Sequence, residues 1–274
     1  MTVLMLNGVV MDAAAATVPA TDRALTHGLG LYETLKLVGG VPVFFAEHVA
    51  RLEGGLAELG LERPVEHTEL AAQICRIAEA SGVRDGACRL LVTAGPPDGR
   101  PSLIIQTDTR SFPTRPLRVV AYRGVRVTAR LKAMTVMQSY LAQQAAEKAG
   151  VDDAILVDEE GRIFEGATSN VFIARGGGLI TTPAEGAILP GVLRAKVEEL
   201  AMRNGIPVAE AYVRVTDLRP DDAMLLTSSV RGIVPVETVD GVRLDLDDVL
   251  LGRLRSLLDA EEAASAAAFR RQYL

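Results

Sequence analysis

Lys132 is the first residue whose type and setting could do chemistry. It stands in Arg130-Leu131-Lys132-Ala133-Met134, at the end of strand-like sequence and before an apolar stretch. Two readings are open to it. A surface lysine lays its stem along apolar neighbours and keeps its ammonium in water. A desolvated lysine has a lowered pKa and can condense with a carbonyl. Spacing alone does not separate the two. Glu165 follows Gly161-Arg162-Ile163-Phe164, where a carboxylate is either a solvated hairpin residue or a charge placed for a task. Arg51 falls on a helical run and, taken alone, reads as an exposed helix arginine. Ser228 and Ser229 read alone as strand-end serines. Tyr32 and Thr34 share one face of a strand, and Tyr32 is either an aromatic core residue or a pocket wall. The three histidines, His27, His48 and His67, are not spaced for a metal site. Cys75 and Cys88 lie far apart and suggest neither a disulfide framework nor a ligand cluster. Metal chemistry is not expected.

The elements that must position these residues follow from periodicity. VLMLNG is a strand ending in a turn, and LYETLKLVGGVPVFF is two strands joined through Gly39-Gly40, a hairpin signal. FAEHVARLEGGLAELG puts Val49, Leu52, Leu56 and Leu59 on one helical face and closes at Gly60. A second helix is expected after Thr68, with Leu70, Ile74 and Ile77 inward. ACRLLVTAG and SLIIQT pair around PPDGRP. LRVVAYR and VRVTARLKAM read as strands, and SYLAQQAAEKAG as a helix stopped at Gly150. AILVDEEGRIFE and SNVFIARGGGLITT are hairpins. PGVLRAKVEELAMRNG is a helix opening at Pro190 and ending at Gly205. AMLLTSS is a strand, and a long helix starts at about Asp247.

Hairpins outnumber βαβ crossovers in this order, so the expected class is α+β, two α/β domains, rather than a doubly wound parallel sheet. The expected division is an N-terminal domain over 1–112, a polar linker with two prolines at 107–116, and a C-terminal domain over 117–274. At 274 residues, 49% hydrophobic and 23% charged, the composition is that of an ordinary soluble protein. No apolar run approaches a membrane span, so no membrane partner is expected. The start MTVLMLNG lacks a basic leader region and reads as strand and turn, which makes a cytoplasmic location the default. A net charge of −6 argues against nucleic acid, which needs a basic surface, and leaves room for a small anionic ligand at a local basic spot.

Six blocks occur in one order: DRALTHGLGLYETLK (22–36), EHVARL (47–52), LKAMTVMQSYLAQQAAEKAG (131–150), FEGATSNVF (164–172), ILPGVLR (188–194) and LLTSSVRGIVPV (225–236). As an ordered set over nearly the whole chain they resemble the class IV aminotransferases. These are the fold-type IV pyridoxal-phosphate enzymes, among them D-amino acid and branched-chain aminotransferases and aminodeoxychorismate lyase. The resemblance implies the D-amino acid aminotransferase-like fold with pyridoxal 5′-phosphate as cofactor. It also implies a homodimer with each active site between the two domains and touched by the partner subunit. Its substrates would be an amino donor and a 2-oxo acid acceptor, exchanged by ping-pong kinetics.

Residue by residue, the resemblance makes Lys132 the Schiff-base lysine and general base. Glu165 becomes the carboxylate at the pyridine nitrogen, keeping that nitrogen protonated. Arg51 takes the phosphate, a chemical match for a guanidinium. The helix start at Val192 and Leu193 adds backbone N–H groups to the same anion. Ser169 and Asn170, in FEGATSNVF, and Ser228 and Ser229 complete the cofactor contacts. Leu193 stands where many members have threonine, so only its backbone contribution carries over. Tyr32 and Thr34 belong to the substrate pocket. Arg231 ranks first for the substrate carboxylate, ahead of Arg100, Arg23 and Lys36. Met137 stands where branched-chain enzymes carry a tyrosine, and Thr135 where several subfamilies carry asparagine. EGATSNVF is nearer the D-amino acid version of its block. The expected function is therefore transamination of small amino acids, D-type favoured. Aminodeoxychorismate lyase, which eliminates pyruvate, is the alternative, and a non-catalytic cofactor-binding protein is a third possibility.

Overall fold

Alternation and turn chemistry build the first part of the chain. The computed structural model describes residues 2–109, 115–185 and 187–274. Strands β1 (Val3–Leu6) and β2 (Val9–Asp12) form a hairpin, and a short helix α1 (Arg23–His27) leads into β3 (Gly30–Val38). Gly39-Gly40, both at positive φ, turns β3 into the two-residue β4 (Val41–Pro42). Two helices, α2 (Phe45–Glu58) and α3 (His67–Ser81), precede the antiparallel pair β5 (Gly86–Thr93) and β6 (Leu103–Asp108). Among the described residues these strands form a sheet in the order β2-β1-β6-β5-β3-β4. Its core holds Leu35, Leu37, Leu90 and Ile105 from strands and Val49, Leu52, Leu56, Leu70, Ile74 and Ile77 from helices. The helical faces are those the periodicity predicts, although α3 begins at His67 with Glu66 as its cap residue, before Thr68.

The second part begins at β7 (Leu117–Arg123) and continues through α4 (Met137–Lys148), β8 (Asp153–Val157) and β9 (Ile163–Gly166). It runs on through β10 (Asn170–Arg175), β11 (Gly178–Thr181), α5 (Val192–Arg203) and β12 (Val208–Glu210). The last elements are β13 (Ala223–Ser228), β14 (Gly232–Val239), β15 (Val242–Arg243) and α6 (Asp248–Tyr273). The sheet order is β12-β11-β10-β13-β14-β7-β8-β9, with β15 on β14. Strand β8 is buried at every position: Ile155 and Val157 enter one core, while Ala154 and Leu156 pack against Ala142 and Ala146 of α4. A continuous apolar strand is the signature of such two-sided burial. The parallel β7–β8 and β11–β12 pairs are joined through α4 and α5, and hairpins make up most of the rest. The α+β class holds.

Two expectations need correction. VRVTARLKAM is not a strand: residues 124–136 are turn and irregular chain with one bridge, Leu31–Ala133, and Val127 is 97% exposed. β-Branched residues favour a pleated, half-buried surface, and this run meets no ladder partner along most of its length. Strand β14 carries Pro235 between β13 and β7, a residue that argues against a central strand. It lies opposite Leu225 of β13, one residue before the pairing with β7 begins at Val236, so its missing N–H is not required by the β7 ladder. Helix α5 starts at Val192 with Gly191 as N-cap, so Pro190 lies before the helix rather than in its first turn.

The chain divides into two compact units. One contains Met1–Ser111, Leu131–Thr135 and Ala260–Leu274, and the other Phe112–Arg130 and Val136–Asp259. The sequence reading assigned 117–274 to one C-terminal domain; here residues 131–135, with Lys132, belong with the N-terminal residues, as does the end of α6. Contiguity in sequence could not show this, because both segments return to the first unit after a long excursion. Of the proposed linker at 107–116, residues 110–114 lie outside the described residues.

Candidate functional site

In the first unit, Leu31, Glu33, Leu35 and Leu37 of β3 point into the core, and Tyr32, Thr34 and Lys36 point the other way. A glutamate among core leucines demands compensation. Glu33 is 1% exposed and receives Arg51 Nε at 2.8 Å on Oε1, Arg51 Nη2 at 2.6 Å on Oε2, and His48 Nδ1 at 2.7 Å. Burial would raise the Glu33 pKa, but the hydrogen bonds and charges of Arg51 and His48 prevail and bring it to about 2. Burial pushes His48 below its ordinary value despite Glu33, helped by the charges of Arg51 and Lys132. His48 is therefore neutral at pH 7. Because the carboxylate can only accept, Nδ1 carries the proton, and the buried Nε2 has no hydrogen-bond partner among the described residues. The guanidinium that the resemblance gives to a phosphate thus holds a core carboxylate through Nε and Nη2. The sequence reading treated Glu33 as one more alternating residue and gave no sign of this.

Both groups make stability fall with acid. A depressed Glu33 contributes stability that is complete above its unfolded value of 4.5 and lost as pH falls through about 2. His48 adds to the same slope from 6.5 downward, since the unfolded chain takes up the proton first. Denaturant titrations should therefore show stability declining from near pH 6.5, and more steeply below 4.5. In Glu33→Gln the lower part of that decline should shrink; an unchanged profile would remove Glu33 as its source.

Lys132 sits beside this core. The short β4 leaves the first half of β3 open on one side, and residues 131–135 occupy it. Tyr32 N–H donates to Lys132 O at 2.9 Å, and Met134 N–H to Gly30 O at 2.9 Å. The segment is thereby pinned through its main chain. Lys132 Nζ lies 4.6 Å from the centroid of the Tyr32 ring, with the Arg89 guanidinium at 4.9 Å from the same ring. Thr34 is opposite Arg89 in the β3–β5 register. Tyr32, Thr34 and Lys132 are thus brought together, and Arg89, which the sequence reading did not consider, joins them. Among the other cations weighed for a substrate carboxylate, Lys36 pairs with Glu262 at 2.5 Å and Arg23 donates to the Ala94 and Gly95 carbonyls. Arg100 is exposed.

In the second unit, Glu165 lies on β9 at 1% exposure. Arg126 grips it with Nε on Oε1 at 2.7 Å and Nη2 on Oε2 at 2.6 Å, and Leu189 N–H reaches Oε2 at 3.2 Å. The solvated-hairpin reading of Glu165 fails. Asn170 Nδ2 donates to Leu189 O at 2.9 Å, and its Oδ1 would lie 2.0 Å from a Cβ at position 191. Only glycine allows the asparagine so close to the start of α5. No side chain caps that helix start, so its N–H groups at Val192 and Leu193 are of the kind that bind anions. Ser169 Oγ is buried without a hydrogen-bond partner among the described residues, and so is Thr227 Oγ1. Thr227 is opposite Asn170 in the β10–β13 register and precedes the half-buried Ser228 and Ser229. The sequence reading chose those two serines; the buried threonine beside them carries the unsatisfied hydroxyl. Arg231, the first choice for a substrate carboxylate, is bound through Nη1 to the buried Asp153 at 2.6 Å. Its partner lies 78 positions away, too far for sequence to suggest.

Residues 30–239 match the family model for amino-transferase class IV. The chain belongs to the class IV aminotransferases. It is 31% identical to a Methanocaldococcus jannaschii protein named "Putative branched-chain-amino-acid aminotransferase" over 87% of this chain and 88% of that one. It is 29% identical to the D-alanine aminotransferase of Bacillus licheniformis, again over 87% and 88%. A fold IV-transaminase from Curtobacterium pusillum superposes with a TM-score of 0.83 at 26% identity, covering 94% of this chain and 99% of that one. The fold is therefore that of the fold-type IV enzymes, and the family's cofactor is pyridoxal 5′-phosphate. The residues present fit that group. The first unit offers a lysine on a segment tied to β3 by main-chain bonds. The second offers a buried carboxylate paired with arginine, an uncapped helix start admitting no Cβ at Gly191, and two buried hydroxyls without a hydrogen-bond partner among the described residues. Among the described residues no helix is long and apolar enough to cross a membrane.

Proposed function

We propose that this class IV aminotransferase transfers the amino group of a small amino acid, D-type favoured, to a 2-oxo acid, with Lys132 as the proton-moving base. The observation that carries this is the amine of Lys132, 4.6 Å from the Tyr32 ring centroid on a segment tied to β3 by main-chain bonds at Lys132 and Met134. When bound, pyridoxal phosphate supplies an electron sink that makes the substrate Cα–H acidic.

The chain's own residues supply the rest. Lys132 would take the proton from the substrate Cα and hold it for return, a role that needs an amine of restricted orientation. Glu165, gripped on both oxygens by Arg126, would accept the hydrogen bond of a protonated ring nitrogen. The helix start at Val192 and Leu193, with Ser169, Asn170 and Thr227 nearby, receives the phosphate, and Ser228 and Ser229 flank it. Tyr32 and Thr34 wall the substrate side. Arg89 supplies positive charge there, the complement a substrate carboxylate requires. The D-amino acid preference is supported by EGATSNVF, by Met137 in place of tyrosine, and by the similarity to a D-alanine aminotransferase.

The test is spectral. The yellow protein loaded with pyridoxal phosphate is mixed with D-alanine and with L-alanine in separate cuvettes. Faster bleaching by D-alanine, with colour restored by 2-oxoglutarate, is the expected result. Faster bleaching by L-alanine would overturn the D preference. No response to either, with pyruvate released from aminodeoxychorismate without any acceptor, would replace transamination by the lyase reaction.

A further inference from the structure

We infer that Arg126 is a positioning residue that fixes the ionisation state of Glu165 and, through it, the proton on the cofactor's ring nitrogen. The inference rests on the proposed role of Glu165 at that nitrogen. Arg126 belongs to the irregular run 124–130, which sequence periodicity treats as strand and which pairs in no ladder. Its guanidinium is 16% exposed and faces both oxygens of a carboxylate that is 1% exposed, at 2.7 and 2.6 Å. Two parallel contacts of this kind fix the plane of the carboxylate as well as its charge. The Leu189 N–H at 3.2 Å adds a third donor from the loop leading to α5.

The electrostatic consequence has a definite sign. A buried carboxylate facing a ring nitrogen can share one proton in two ways, as carboxylate and pyridinium or as carboxylic acid and neutral pyridine. Burial by itself favours the neutral pair. A guanidinium in contact with both carboxylate oxygens favours the charged pair, because protonating the carboxyl would discard that contact. Its repulsion of a ring nitrogen on the far side of the carboxylate acts over a longer distance and is smaller. Arg126 therefore keeps the proton on the ring. Removing that contact therefore tips the shared proton from the ring nitrogen toward Glu165.

The experiment is nitrogen NMR of the holoenzyme reconstituted with ring-labelled pyridoxal phosphate, followed against pH in wild type, Arg126→Gln, Arg126→Lys and Glu165→Gln. The wild type should show a protonated ring nitrogen across neutral pH. In Arg126→Gln the nitrogen signal should move toward the neutral-pyridine position throughout neutral pH, because the shared proton passes to Glu165 within the pair, and Arg126→Lys should restore much of the protonated signal. An Arg126→Gln signal identical to wild type, with Glu165→Gln deprotonated, would overturn the role of Arg126 while leaving that of Glu165 intact. A protonated nitrogen in Glu165→Gln would instead overturn the reading of Glu165. If Arg126→Gln does not fold, Arg126→Lys decides the matter: its longer, single-point contact should still lower the protonated fraction of the ring nitrogen across neutral pH, and a fraction equal to wild type counts against the inference.

Discussion

Replacing Lys132 with alanine abolishes borohydride-fixable attachment of pyridoxal phosphate and lowers turnover by about two to four orders of magnitude, the scale of a lost general base. The fold should survive. The part of Lys132 that joins the first sheet is its carbonyl, which accepts from Tyr32 N–H, and alanine keeps that carbonyl. Loss of the amine also removes one of the charges that push the His48 pKa down, so the variant's histidine should titrate slightly higher. Peptide mass mapping after reduction is the direct check: wild type carries the cofactor mass on the peptide spanning residue 132. A Lys132→Ala protein that still carries a fixed cofactor, on any lysine, would refute the assignment. An alanine variant that loses attachment and also unfolds at a much lower midpoint would show that the side chain has a structural share that the geometry does not suggest.

Arg51→Ala is expected to cost about 3–5 kcal/mol of stability, because it leaves a buried carboxylate without its principal partner. Glu33 is 1% exposed and takes two of the guanidinium's donors. His48 contributes one hydrogen bond, and burial opposes its taking up the charge that Arg51 gave. The loss should be largest at neutral pH and shrink in acid, where Glu33 in the variant takes up a proton at a far higher pH than about 2. Adding Glu33→Gln to Arg51→Ala should recover part of the loss, since the double variant buries no lone charge. Urea unfolding of the four proteins at pH 7 and pH 4 measures this coupling directly. An Arg51→Ala cost under about 1 kcal/mol, in the range of exposed ion pairs, would mean that Glu33 finds another partner. Should the folded Arg51→Ala protein bind the cofactor as wild type does, the phosphate role implied by the resemblance would be withdrawn and the core role kept.

Much of the fold was legible in the residues. The periodic helical faces of α2 and α3 and the glycine turn between β3 and β4 lie where sequence puts them. So do the hairpins around β8 to β11. These are local signals, and local chemistry enforces them. The order of six short blocks was enough to point to the family, because each block preserves a main-chain shape as well as a side chain: Gly191 is there for the asparagine that approaches it. Charge partners were not legible. Arg126, Asp153 and Glu33 each meet a group brought up by a distant part of the chain, and no periodicity encodes that meeting.

The sequence by itself determined most of the element types, the α+β class and the family. Tertiary structure decided what each candidate residue touches. It drew residues 131–135 out of a stretch that reads as strand and laid them along β3, where the short β4 leaves backbone groups to be paired. It turned Glu33 inward, committed Arg51 to it, and gave Arg231 to Asp153. The physical reason is common to all of these. A buried charge or an unpaired backbone group is costly wherever it lies, and the chain resolves that cost with whichever partner folding brings near, at separations that a linear reading does not contain.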